Sequence, residues 1–227
     1  MKAFLVAGGS IEKEFLKKSY KEGNYDLVIG IDGGAAYLLE CDIAADIILG
    51  DFDTLDKEIL DYYKSINTKI EGFKAEKDET DTELGIDCAI EAGADEIHLY
   101  GATGTRLDHV LGNIQSLRIA SNKNIKAYII DTHNKIHYVN QRETIKKNAQ
   151  YGKYISFVPM TAKVKGVTLR GFKYPLENGV LVNDKSLAIS NQIESEEAVV
   201  SYEEGVLLMI ESKDWKYQKK FIAMMQI

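Results

Sequence analysis

Residues 26–54 read DLVIGIDGGAAYLLECDIAADIILGDFDT. Two short apolar runs, 26–32 and 45–51, enclose a stretch with helical spacing at 34–41. Apolar runs of this length, closed by Gly and Asp, are read as strands buried on both faces. A strand, a helix and a second strand in succession predict a right-handed crossover between parallel neighbours. Both strands end in acidic residues, Asp32 in one case and Asp51 with Asp53 in the other.

The same alternation continues on either side. Buried strands are predicted at 3–8, 96–101 and 125–131, with a weaker one at 68–73. Helical spacing recurs at 11–22, 56–65, 80–92 and 107–121; in the third of these Leu84, Cys88 and Ala92 repeat every four residues. This predicts an α/β fold, a mostly parallel, Rossmann-like αβα sandwich. After Asp131 the pattern changes to short β-rich runs separated by turn signals such as Asn178-Gly179, Asn183-Asp184 and Glu204-Gly205. A C-terminal antiparallel β-sandwich is expected there, including a strand in SLAISNQI (186–193). The expected domains are 1–132 and 133–227.

The 227 residues carry a net charge of −7, which argues against nucleic-acid binding driven by phosphate neutralisation. No stretch approaches the roughly 20 apolar residues of a membrane helix, and MKAFLVAGGS is too short for a signal segment. Cys41 and Cys88 have no metal-ligand spacing and form no disulfide framework, so a reduced, cytoplasmic setting is expected.

Ligands of parallel sheets bind beyond the carboxyl ends of the strands. Four segments put unusual residues there: DGG (32–34), GDFDT (50–54), KDETD (77–81) and GATGTRLDH (101–109). Each has a structural reading beside the functional one. The glycines permit a tight turn, or they admit a ligand to the backbone. Asp53 or Thr54 caps the helix near 56, or Asp51 and Asp53 together reach a hard cation. Thr80 and Glu83 form a capping box, which leaves Asp81 unexplained. TRLD (105–108) also fits a cap, with Arg106 as a bidentate phosphate donor. Taken together, Asp51, Asp53 and Asp81 with Mg2+, plus Lys77 and Arg106, compose a polyphosphate site. No GxxxxGK[ST] loop is present, and AGGSIEK (7–13) does not match GxGxxG. His98, in an apolar strand, is expected to be a satisfied core histidine.

In this order DGG, GDFDT, KDETDTELGI and GATGTRLDHVLGN resemble the motifs of the thiamine pyrophosphokinase family, and GFKYPLEN (171–178) and ISN (189–191) resemble its late motifs. The resemblance covers nearly the whole chain. It implies an enzyme, a homodimer using Mg2+, that transfers the pyrophosphoryl group of ATP to the hydroxyethyl oxygen of thiamine. By motif, Asp51, Asp53 and Asp81 would handle metal and phosphate, and Asp32, Lys77, Thr80, Arg106 and Asp108 would line the ATP site. Ser190 and Asn191 would contact thiamine, across the interface from a partner's first domain. Either Asp81 or Asp51 would accept the hydroxyl proton. Two rivals are weaker. A haloacid-dehalogenase-type phosphatase would carry its DxD on the first strand, and a non-catalytic sensor has no need of so many carboxylates.

Overall fold

The computed structural model describes residues 1–52, 55–72 and 78–214. Its first half runs β1 (Lys2–Val6), α1 (Lys13–Gly23), β2 (Leu27–Ile31), α2 (Gly34–Glu40), β3 (Ile47–Gly50) and α3 (Lys57–Ser65). It continues with β4 (Lys69–Gly72), α4 (Asp81–Glu91), β5 (Glu96–Tyr100), α5 (Leu107–Asn122) and β6 (Lys126–Ile130). The second half holds β7 (Asn134–Tyr138), β8 (Arg142–Lys146), β9 (Tyr154–Pro159), β10 (Lys163–Arg170), β11 (Leu176–Val182), β12 (Glu197–Ser201) and β13 (Leu207–Ser212).

Among the described residues the strands form a nine-stranded sheet, β4-β3-β2-β1-β5-β6-β7-β13-β9, and a four-stranded sheet, β11-β10-β12-β8. The first six strands are parallel. The chain moves one way from β1 to β4 and then restarts at β5 on the other side of β1. The carboxyl ends of β1 and β5 therefore open a crevice. Helices cover both faces. Leu5, Ile29, Leu49 and Leu99 pack beneath Ile86, Ala89, Leu117 and Ala120 of α4 and α5. Phe4, Val6, Val28 and Ile48 pack beneath Leu16, Leu38 and Tyr63 of α1 to α3. All five residues of β2 and all four of β3 are buried, as their unbroken apolar sequences require.

The predicted antiparallel sandwich is present, and one of its leaves belongs to the parallel sheet. A turn held by Asp131 reverses the chain, so β7 pairs antiparallel with β6 at Ile129–Ile136, and β13 and β9 follow. Alternation with period two makes this possible. In β13, Leu208 and Ile210 join the core under the helices, while Leu207 and Met209 face Val164, Val167, Leu169 and Val200 of the second sheet. The 186–193 run is not a strand, contrary to its sequence. Its contacts are isolated bridges, Ile155–Asn191 and Phe172–Ile193, and Ser190 lies at φ +58. A left-handed residue there breaks the extended path a ladder needs.

His98 of β5 is the satisfied core residue expected of it. Its Nδ1 lies 2.8 Å from the Tyr25 hydroxyl and its Nε2 2.8 Å from Glu96 Oε1. A neutral ring fits both, accepting from Tyr25 and donating to the carboxylate. Burial, with the Lys2 charge beside it, pushes the imidazole down to about 4 from an ordinary 6.5. The unfolded chain therefore takes up this proton near pH 6.5, whereas the folded chain resists until about pH 4. Stability should be complete above pH 6.5 and fall by up to about 3 kcal/mol on acidification toward pH 4. Urea unfolding at a series of pH values measures this slope. His98→Gln should flatten it, and equal slopes in both proteins would refute the assignment.

Candidate active site

The crevice between β1 and β5 is a cleft of about 820 Å³. Its floor is backbone. Gly9 N–H donates to Gly101 O and Ser10 N–H to Thr103 O, each at 2.8 Å, which stitches the β1–α1 loop to the β5–α5 loop. A Cβ on Gly9 would lie 2.4 Å from Gly101 O, so only glycine permits this approach. The Asn113 amide, donating to Ala102 O at 2.9 Å, ties the second loop to α5.

Five of the residues singled out from sequence line this cleft together: Asp32, Thr80, Asp81, Arg106 and Asp108. Asp32 follows β2 directly at φ +49, a left-handed conformation that costs an aspartate little. Its N–H donates to Leu49 O, which binds the end of β2 to the end of β3. Asp51 follows β3 directly and does not line the cleft, but it adjoins it: the Cα of Asp32 lies 3.2 Å from where a Cβ on Gly50 would stand. Phe52 lies at φ +58, where a bulky side chain is strained by roughly 1–3 kcal/mol. Packing of its ring against the core under α2 and α3 offsets that strain. Asp53, Thr54 and Lys77 lie outside the described residues. The N-cap position of α3 is taken by Asp56, without a side-chain cap.

At α4 the capping box forms as read: Glu83 N–H donates to Thr80 Oγ1 at 3.3 Å and Thr80 N–H to Glu83 Oε2 at 2.8 Å. The Thr80 hydroxyl accepts in this arrangement and retains its own proton for a ligand. Asp81, the first residue of α4, is half-buried beside it. At α5 the capping expectation fails. Arg106 holds the N-cap position without a side-chain cap, and Asp108 pairs with it instead, Nη2 to Oδ2 at 2.6 Å and Nε to Oδ1 at 3.3 Å. The guanidinium holds the Asp108 carboxyl below its ordinary value, and the carboxylate raises the guanidinium in turn. Both groups are about two-thirds exposed, so an incoming phosphate can compete for the guanidinium.

The N-termini of α4 and α5 both open onto this cleft, and backbone N–H groups at helix starts favour anions. Against them stand three carboxylates, Asp32, Asp81 and Asp108. Carboxylate oxygens suit a hard divalent cation, and of these three only Asp81 belongs to the set Asp51, Asp53 and Asp81 expected to hold one. Among the described residues no three-residue metal cluster is assembled. The cleft thus combines two helix N-termini, one guanidinium and excess carboxylate, a chemistry suited to a polyphosphate accompanied by a cation.

Ser190 and Asn191 lie in the second half. Ser190 is exposed. Asn191 is 2% exposed, and its side chain is committed to Tyr174, accepting from that N–H at 3.0 Å and donating to its carbonyl at 2.8 Å. The sequence reading missed Gly8, Gly9 and Ser10, and gave no individual role to Thr103 and Asn113 within GATGTRLDHVLGN (101–113). The available signal was the Gly8-Gly9 pair at the end of a predicted strand.

Known proteins resemble the chain along most of its length. The family model described as thiamin pyrophosphokinase, catalytic domain, matches residues 20–129, and that of the vitamin B1 binding domain matches 142–207. A thiamine pyrophosphokinase of Bacillus subtilis is 36% identical over 190 residues, covering 84% of this chain and 89% of the relative. The crystal structure of thiamine pyrophosphokinase from Bacillus subtilis superposes with a TM-score of 0.84 at 34% identity, over 95% of this chain and 100% of the other. That of the Geobacillus thermodenitrificans thiamin pyrophosphokinase gives 0.82 at 32% identity, over 95% and 99%.

Proposed function

The chain belongs to the thiamine pyrophosphokinase family, and from that premise we propose how its cleft carries out the family's reaction. The reaction moves the pyrophosphoryl group of ATP to the hydroxyethyl oxygen of thiamine, giving thiamine diphosphate and AMP. What supports the residue roles is the convergence of Asp32, Thr80, Asp81, Arg106 and Asp108 around one cleft onto which the starts of α4 and α5 open.

In this reading the glycine loops and the starts of α4 and α5 seat the triphosphate, with the Thr80 hydroxyl and Lys77 contributing donors. Arg106 exchanges Asp108 for phosphate oxygens and steadies the chain as charge shifts toward the leaving AMP. Asp51, Asp53 and Asp81 would hold Mg2+, which when bound spreads the negative charge of the phosphates. The acceptor hydroxyl attacks the β-phosphorus in line, and Asp81 or Asp51 takes its proton. Excess carboxylate around the cleft also attracts thiamine's cationic ring.

Residues 1–132 would carry the donor site and 133–227 the acceptor site and the dimer contact. Ser190 touches thiamine from a second copy, while Asn191, committed to Tyr174, shapes that segment. Exposed Leu107 and Leu111 on α5, and Tyr174, Leu187 and Ile189 beside Ser190, are the apolar surface such a contact would cover. Two reduced thiols, with no described helix able to cross a membrane, support a cytoplasmic setting.

Incubation with ATP, Mg2+ and thiamine should yield AMP and thiamine diphosphate in equal amounts. Release of ADP or inorganic phosphate would overturn the assignment of the attacked phosphorus. The same preparation should sediment as a dimer, and a fully active monomer would refute the shared acceptor site.

A further inference from the structure

Arg106 stands at the end of the β5–α5 loop with its side chain about two-thirds exposed, and its partner Asp108 belongs to the same helix start. Where the guanidinium stands relative to Asp32 and Asp81 is therefore set by the loop that carries it. The carbonyls of Gly101, Ala102 and Thr103 are held by Gly9, Asn113 and Ser10, all from the first half of the chain. A fourth hold comes from farther along. The Thr103 hydroxyl, three residues before Arg106, donates to Asp131 Oδ2 at 3.0 Å, in the turn between β6 and β7.

Asp131 is itself fixed from two sides. Its Oδ1 accepts from His133 N–H at 2.7 Å and Asn134 N–H at 2.8 Å, and the Asn134 amide lies 3.1 Å from both carboxylate oxygens. Its carbonyl accepts from the Tyr151 hydroxyl. Tyr151 belongs to the segment before β9, and two contacts seat that segment on β13. Its N–H donates to Glu211 Oε2 at 2.7 Å, and a Cβ on Gly152 would stand 2.3 Å from Ser212 O. Glu211 is only 4% exposed, and a carboxyl group buried in a strand is costly unless it is hydrogen-bonded. Here its bond holds Tyr151 in place. Burial, with Asp131, Tyr100 and Glu211 near by, pushes the Tyr151 phenol well above its ordinary value, so the hydroxyl stays a donor.

A line of contacts thus runs from Glu211 through Tyr151 and Asp131 to Thr103. Thr103 borders the cleft and Asp131 the hollow beside it, whereas Tyr151 borders neither. Any effect of Tyr151 on turnover is therefore transmitted. We propose that Tyr151 is a positioning residue for the transfer reaction: from the second half of the chain it holds Asp131, and through Thr103 it sets the loop that aims Arg106 at the phosphates. This role rests on the reading above in which Arg106 steadies the phosphate chain.

Tyr151→Phe removes one oxygen and leaves the ring. The kcat for AMP formation should fall about tenfold, because small displacements of a positioned group are costly, with the KM of thiamine within about twofold of wild type. A cycle with Arg106→Ala separates positioning from plain structural support. Where the guanidinium is already gone, Tyr151→Phe should cost less than about twofold. Thr103→Val should also lower kcat, Thr103→Ser should keep it, and Thr103→Val with Tyr151→Phe should cost no more than the larger loss alone.

A Tyr151→Phe enzyme within about twofold of wild type, an equal loss in both Arg106 backgrounds, or additive losses with Thr103→Val would each overturn the positioning role alone. Wild-type protein that forms no AMP from ATP and thiamine, or Arg106→Ala with normal turnover, would overturn the catalytic reading and this role with it. If Tyr151→Phe does not fold, Thr103→Val takes its place in the cycle, and equal losses in both backgrounds refute the strut.

Discussion

Asp81→Asn should lower kcat by about two to three orders of magnitude with little change in stability. Asparagine matches aspartate in shape, and the cap of α4 is made by Thr80 and Glu83, so the helix start stays in place. What disappears is one negative charge in the cleft. A neutral amide is a poor proton acceptor and a weak ligand for a hard cation, so either role assigned to Asp81 is lost. The urea midpoint should move by no more than about 0.5 kcal/mol in equivalent free energy. Steady-state rates with ATP and thiamine check the first part, and denaturation checks the second. A variant within about threefold of wild type would leave Asp81 a helix-start residue and nothing more.

Gly34→Ala should unfold or severely destabilise the protein, by about 3 kcal/mol or more. Gly34 opens α2, and an added Cβ would stand 1.8 Å from Val6 O and 2.4 Å from Val6 C. Those atoms belong to β1, which is hydrogen-bonded on both edges to β2 and β5 and cannot withdraw. The helix would have to move instead. That would uncover Ala35 and Leu38, both fully buried, and shift Asp32 two residues before. Thermal melting with the activity assay tests this, and an alanine variant of near-normal stability would refute the close contact. The DGG motif thus serves packing through Gly34, with Asp32 beside it left to face the cleft.

The parallel half was legible because strands buried on both faces read as unbroken apolar runs, as in LVIGI of β2 and IILG of β3. The antiparallel half was legible in kind but not in attachment. Nothing local in LLMIES announces that Leu208 pairs with Tyr138 while Met209 faces another sheet, because hydrogen bonds between distant strands leave no mark beyond alternation. Residues 186–193 carry strand-like composition, yet a left-handed Ser190 and the Asn191–Tyr174 bonds turn them into a loop anchored by Ala188, Asn191 and Ile193. At the site, ordered acidic motifs led to Asp32, Asp81 and Asp108 in one cleft. The cap pattern at 105–108 misled, because Arg106 rather than Thr105 takes the N-cap position, and the Asp108 carboxylate is shared between the His109 backbone and a bidentate pair with Arg106. Gly8 and Gly9 were read only as a failed GxGxxG, because their contribution is an absence of side chain, opposite Gly33 for Gly8 and opposite Gly101 and Thr103 for Gly9.

The sheet that passes without interruption from β6 into β7 has a mechanical meaning. A bilobal enzyme commonly closes on its substrates by bending at a linker. Here the junction is a ladder, Ile129 to Ile136 and Ile130 to Lys135, locked by the Asp131 turn and braced by Tyr151. Swinging one lobe against the other would tear main-chain bonds out of a continuous β-structure. This molecule has no joint at its waist: its lobes travel as one plank, and substrates must be gripped by loop motion at the strand ends or by another subunit.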